Sequence, residues 1–351
     1  MSLGASKKER VLVICPGRGT YTASELGYLN RFRPEMNELI HEVDQYRAQY
    51  GLPTITELDN ARTYAASTHA TAEHAPALIA TCALADFRSL DLEKTEVVAI
   101  TGNSMGWYIA LAASGALNSK AAFHLISTMG KLTGGSGLGG QLIYPCFDEE
   151  WRHDSEKEML VNCAMDEVNA QADGARVYNS IFLGAFRVIA GNDNGIRALM
   201  KKLPSLEGRY PMKLVNHTAF HTPLMEEASH QAFKILGSRN LFAKPRIPLI
   251  DGEGHIWQPY STDLDQLEGY TLGRQVVAPY DFTLALKTAI REFAPAKLVL
   301  LGPGSNLGGS VGQTLVDMKW RGITSKTRFT DLQNTSPYLV SLGRSEQRGS
   351  V

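Results

Sequence analysis

The sequence predicts an α/β protein: a large domain built on a parallel sheet with crossover helices, interrupted by a small α+β subdomain. Three observations predict it. Arg10-Val11-Leu12-Val13-Ile14-Cys15, Val97-Val98-Ala99-Ile100-Thr101 and Ala296-Lys297-Leu298-Val299-Leu300-Leu301 are largely apolar runs that each stop at a glycine-bearing turn, as strands buried on both faces do. Stretches of helical character lie between them, which is the grammar of strand, crossover helix and parallel strand. From about Gly134 the pattern changes to short strands and helices in alternation.

The first strand ends at Pro16-Gly17-Arg18-Gly19, where the two glycines let backbone N–H groups point into a site at the strand's C-terminal end. Alone, such a loop is most often just a turn. Ala75 to Leu84, within a helical stretch from Glu73 to Leu90, is dense in small apolar residues and suits a helix packed against a sheet. After the second strand, Trp107 to Leu117 continues as a helix. Gly134 to Gly140 reads as a hinge, Gln141 to Cys146 as a strand, Glu156 to Asn169 as helical or mixed, Arg176 to Ser180 and Phe186 to Ala190 as strands, and Gly195 to Leu203 as helical. The larger domain resumes near Pro211. Beyond about Trp320 the chain is polar and is expected to form a surface extension with little core.

The 351 residues suffice for two or three domains or one large domain with an insertion. Lys and Arg number 35 against 36 Asp and Glu, so the overall balance points neither to nucleic acid nor to an anionic membrane. Cys15, Cys82, Cys146 and Cys163 are far apart and show no zinc-like spacing, which argues for reduced thiols and against a metal site. The segment Met1 to Arg10 is short, polar and basic, unlike a signal peptide, and no run of 18 apolar residues occurs. A cytoplasmic location is expected.

The chemistry concentrates at Gly102-Asn103-Ser104-Met105-Gly106. A Gly-x-Ser-x-Gly string between a strand and a helix is a nucleophile elbow: the serine occupies a strained corner, and side chains two residues either side would collide with backbone. The helix start directs N–H groups toward an oxyanion formed beside Ser104. A serine nucleophile needs a base. Of nine histidines, His217 and His221 stand out, because Asn216-His217-Thr218-Ala219-Phe220-His221-Thr222-Pro223-Leu224-Met225 follows a strand-like run, Met212 to Val215, and precedes a helix. His221 is the preferred base, and His217 is read as a wall residue of the site.

Together, Pro16-Gly17-x-Gly19, Gly102-x-Ser104-x-Gly106 followed by Ser114-Gly115-Ala116-Leu117, Phe220-His221-x-x-Leu224-Met225 and Leu301-Gly302-Pro303-Gly304 resemble malonyl-CoA:acyl carrier protein transacylases. These are also the acyltransferase domains of fatty acid and polyketide synthases. The resemblance runs in order from about residue 11 to 310. It implies an α/β-hydrolase-like large domain (10–134 and 212–320) and an inserted ferredoxin-like subdomain (135–211); the polar extension (321–351) lies beyond the resemblance. It implies ping-pong transfer of an acyl group from coenzyme A through Ser104 to the phosphopantetheine thiol of holo acyl carrier protein, with no permanently bound cofactor and no metal. His221 would be the base, the N–H groups of Arg18 and Met105 the oxyanion hole, and the carbonyl of Gln275 the group that orients the histidine. Asn179 would lie near the acyl pocket.

Three positions depart from the family pattern. Arg18 replaces a usual glutamine and Asn103 a usual histidine. The family's malonyl-binding arginine precedes a glycine about 25 residues after the serine, where this chain reads Ser127-Thr128-Met129-Gly130. Losing that partner favours an uncharged acyl group in a pocket lined by Met129; the competing expectation is that Arg18 has taken over the carboxylate. Arg197, Lys201, Lys202, Arg209 and Lys213 form either a docking patch for an acidic carrier protein or a solvated face. A thioesterase that clears stalled acyl groups, and a catalytically impaired synthase partner, use the same parts and stand as alternative functions.

Overall fold

The computed structural model describes residues 8–134, 139–171, 174–237 and 239–351; the start of the expected N-terminal basic segment and the centre of the expected glycine hinge, residues 135–138, lie outside them. Eleven strands run along the described chain: β1 (Glu9–Cys15), β2 (Thr95–Gly102), β3 (Gly140–Pro145), β4 (Val177–Leu183), β5 (Phe186–Gly191), β6 (Met212–Lys213), β7 (Leu249–Ile250), β8 (Ile256–Trp257), β9 (Tyr280–Asp281), β10 (Lys297–Leu300) and β11 (Leu339–Ser341). They form two sheets, ordered β11-β10-β1-β2-β7-β8 and β6-β3-β5-β4-β9.

The larger sheet is parallel except at its β7–β8 edge, and β1 sits between β2 and β10 with Val13 opposite Ile100 on one side and Val299 on the other. Central position explains the sequence of β1: Val11 to Cys15 are completely buried, so both faces must be apolar. Helix Ala75–Arg88 is buried from Ala75 through Asp86, because its alanines let it lie close to its neighbours. The smaller sheet is antiparallel apart from its β4–β9 edge. Its strands serve two cores by alternation: Val188 and Ala190 of β5 pack into the large core, while Ile189 between them joins a second cluster with Leu142, Val161, Ile196 and Leu199. Its edge strands β6 and β9 come from outside the segment 135–211.

Residues 321–351, expected as a polar surface extension, instead complete the large sheet. Leu339 and Val340 of β11 are buried against β10, and Arg348 reaches the fully buried Asp86, which also accepts from the Tyr28 hydroxyl at 2.6 Å and the Gly302 N–H at 2.9 Å. The buried apolar residues of this segment, Ile323, Phe329, Tyr338, Leu339, Val340 and Leu342, are scattered among polar ones and so do not stand out in the sequence.

Candidate active site

The strand–elbow–helix unit is β2, the turn 103–105 and helix Gly106–Ala113. Ser104 at the corner has φ +55°, a left-handed conformation that a non-glycine residue adopts only under constraint. The constraint is visible at both flanking glycines. A Cβ on Gly102 would lie 2.4 Å from the backbone of Gly106, and one on Gly106 would lie 2.5 Å from the carbonyl oxygen of Cys15. The Tyr280 hydroxyl donates to the Gly102 carbonyl at 2.6 Å and holds the turn from the far side.

Ser104 Oγ lies 2.6 Å from His221 Nε2, and His221 Nδ1 lies 2.6 Å from the Gln275 carbonyl oxygen. A carbonyl can only accept, so Nδ1 carries the proton and Nε2 is left as an acceptor facing the serine hydroxyl. Burial lowers the His221 pKa to about 4, opposed only in part by the Gln275 bond, so the imidazole is neutral near pH 7. His221 also has a positive φ, +58°. Gln275 follows a π-helical turn, Tyr270–Arg274, and its side chain is fixed by the Tyr108 hydroxyl at 2.8 Å and by donating to the Ser104 carbonyl at 3.2 Å.

The N–H groups of Arg18 and Met105 donate to no acceptor among the described residues, so both are free beside the serine corner. Arg18, Asn103, Met129 and His217 line the cleft in front of Ser104, whose free space, counting the open mouth, is about 700 Å³. Met129, on helix Ser119–Thr133, is buried in its wall. His217 Nδ1 sits 2.7 Å from Gln141 Oε1, and the Gln141 amide in turn donates to Ser180 Oγ at 2.6 Å. Burial, with a smaller contribution from the nearby Arg18 charge, lowers the His217 pKa to about 3. This pairing leaves His217 in the wall and unbonded to Ser104.

Asn179 does not reach the cleft. It accepts from Arg187 at 2.7 Å, and Arg187 pairs with Glu158 on the opposite side of the strand. Side chains alternate along β4, and it is the neighbouring Ser180, fully buried, that turns toward the site and donates to the Phe220 carbonyl at 2.7 Å. Gln141, Ser180 and Tyr108 were not singled out in the sequence, and Phe220 entered only as the first residue of the Phe220-His221 motif. A glutamine opening the largely apolar run Leu142 to Cys146 was the one available signal; the contacts of the others exist only once the chain is folded. Arg197, Lys201, Lys202, Arg209 and Lys213 are all exposed; Lys202 is paired with Glu167 at 2.5 Å, whereas Lys201, Arg209 and Lys213 form no ion pair among the described residues. No cluster of three or more His, Cys, Asp or Glu residues able to hold a metal occurs among the described residues. No helix among them is long and apolar enough to cross a membrane.

The architecture is a large α/β domain whose serine corner opens on a cleft bordered by a smaller, ferredoxin-like sheet. Solved malonyl-CoA:acyl carrier protein transacylases share this fold. The enzyme from Xanthomonas oryzae pv. oryzae superposes with a TM-score of 0.75 at 17% identity, covering 98% of each chain. The acyl-carrier-protein S-malonyltransferase of Burkholderia pseudomallei gives 0.74 at 17% identity over 97% of this chain and 98% of its own. A malonyl-transacylase solved in complex with its type II PKS acyl-carrier protein gives 0.74 at 18% identity over 98% of each chain. No protein-family model and no curated protein sequence matches the chain significantly. At such identities the likeness is one of fold.

Proposed function

We propose that the protein is an acyl-CoA:acyl carrier protein S-acyltransferase that works through an acyl-Ser104 intermediate. The observation that carries this is the hydrogen-bonded chain from Ser104 Oγ through His221 to the Gln275 carbonyl, built on two residues of positive φ. His221 Nε2 takes the hydroxyl proton as Oγ attacks the thioester carbonyl. The developing oxyanion meets the free N–H groups of Arg18 and Met105 at the start of helix Gly106–Ala113. The C–S bond then breaks, the coenzyme A thiolate takes the proton from His221, and the acyl group stays on Ser104. In the second half the phosphopantetheine thiol of the carrier protein gives its proton to His221, attacks the ester carbonyl and frees the serine. The neutral imidazole accepts a proton in each half and returns it.

The Gln275 carbonyl does for His221 what a third acidic side chain does elsewhere: it fixes the tautomer and ring plane. The exposed, unpaired Lys201, Arg209 and Lys213, with Arg197 and Lys202, are the surface we assign to an acidic carrier protein. The intact serine–histidine pair speaks against a catalytically impaired partner. Transfer and hydrolysis separate in one assay, the release of coenzyme A with and without holo carrier protein. Turnover that depends on the carrier and leaves acyl-carrier product supports transferase action; equal turnover to free acid without the carrier supports a thioesterase.

A further inference from the structure

Among the described residues, two side chains of the cleft bury a polar atom without a hydrogen-bond partner, Asn103 and Arg18, and only one of them, Arg18, is charged. Its Nη2 is buried without a hydrogen-bond partner, and among the described residues the guanidinium has no ion pair and no hydrogen bond. Its carbon lies 5.4 Å from the centre of the Phe220 ring, a cation–π contact that positions the group but neutralises nothing. Among the described residues no Asp or Glu lines the cleft. Neither histidine can answer the charge, since both are neutral, and His217 Nδ1 is already engaged with Gln141. Burial lowers the arginine pKa only to about 10, so it is a cation at any working pH.

We propose that Arg18 is the carboxylate-binding residue of the cleft, and that the group loaded on Ser104 is a carboxyacyl group of the malonyl type. This rests on the reading of the cleft as an acyl-loading site. An isolated buried cation is costly, and a ligand carboxylate supplies the missing charge and can accept two parallel N–H bonds from the guanidinium. An uncharged acyl group would do the reverse, since it would displace water from the cation and give nothing back. Met129 thereby loses the selecting role expected of it. It is buried in a neutral wall that includes Ile126 and Ile181, so among the described lining residues the one charge available to read the acyl end comes from the loop after β1. Arg18 thus contributes twice: its backbone N–H points to the reacting carbonyl, and its side chain reads the far end of the acyl group.

The test is the rate of Ser104 acylation by malonyl-CoA and by acetyl-CoA, taken as a ratio of kcat/KM, in the natural protein, Arg18→Gln and Arg18→Lys. Both donors carry the same coenzyme phosphates, so the ratio cancels any contact Arg18 makes to those anions. We expect malonyl preference in the natural protein, a fall in the ratio on the order of a hundredfold in Arg18→Gln, and partial recovery in Arg18→Lys. A ratio unchanged in Arg18→Gln while both rates fall together would place the side chain at the oxyanion or the coenzyme phosphates and overturn the proposal. So would preferential acetyl loading by the natural protein, which leaves acyl transfer standing. Loading of Ser104 by no thioester at all removes the acyl-loading reading itself. Should the Arg18 variants fail to fold, the affinities of Ser104→Ala for malonyl-CoA and acetyl-CoA decide: tighter malonyl-CoA supports the carboxylate site, and equal affinities overturn it.

Discussion

Lowering the pH probes the base directly, because His221 works only as the neutral imidazole. An ordinary histidine, with a pKa of about 6.5, is about 76% neutral at pH 7 and about 3% neutral at pH 5, a loss of about 25-fold in a base-dependent rate. His221 is buried, and its pKa is lowered to about 4. At pH 5 it is still about 90% neutral, so the kcat/KM for acylation of Ser104 should change by only about 1.1-fold between pH 7 and pH 5. The assay is rapid-quench measurement of the acylation half-reaction alone, so that the carrier thiol does not contribute its own titration. Stability sets the lower bound of the window. In the unfolded chain a histidine takes up its proton near pH 6.5 while His221 in the fold does not, so stability falls as the pH drops below 6.5. That costs about 2 kcal/mol by pH 5 for each such buried imidazole, and circular dichroism at each pH guards against unfolding. An acidic limb with an apparent pKa between 6 and 7, in protein that remains folded, would refute the argument that burial holds the base neutral.

Other perturbations follow from the packing. Gly106→Ala places a methyl 2.5 Å from the Cys15 carbonyl oxygen and 2.9 Å from that of Pro16. It should lower stability by about 2 to 3 kcal/mol in a denaturant titration and displace the serine corner enough to abolish acylation. Arg348→Ala removes one of the partners of buried Asp86, and because Arg33 still lies 2.9 Å from that carboxylate the expected cost is about 2 kcal/mol in urea unfolding. An unchanged midpoint would mean that the C-terminal segment is not anchored as described. Met129→Arg puts a second cation into the cleft that already holds Arg18, so malonyl loading should not rise; a gain would return the selecting role to position 129.

What was legible in the sequence was local. The elbow, its flanking glycines and the strands β1, β2 and β10 are written in contiguous residues whose burial and turn chemistry need no distant partner. Three of the shortest strands were not. β7, β8 and β9 are two residues each, and a pair of residues has no period to read. Asn179 and Ser180 show the resolution limit of a strand: the right segment was found, but which of two adjacent polar residues faces the site depends on register, and β4 carries a bulge between Asn179 and Ile181. Arg18 was legible only as one of two competing expectations for the acyl end, Met129 being the other. Weighing them needed the fold, which buries Arg18 Nη2 with no Asp or Glu of the described residues lining the cleft.

The most direct test of the central claim is peptide-level mass spectrometry of the natural protein, Ser104→Ala and His221→Ala after brief mixing with malonyl-CoA and acetyl-CoA. The account predicts a covalent acyl adduct on the peptide containing Ser104. It should be absent in Ser104→Ala and formed at least about a hundredfold more slowly in His221→Ala. An adduct that persists in Ser104→Ala, or that maps to another residue, would contradict the assignment of Ser104 and His221 as the acylating pair.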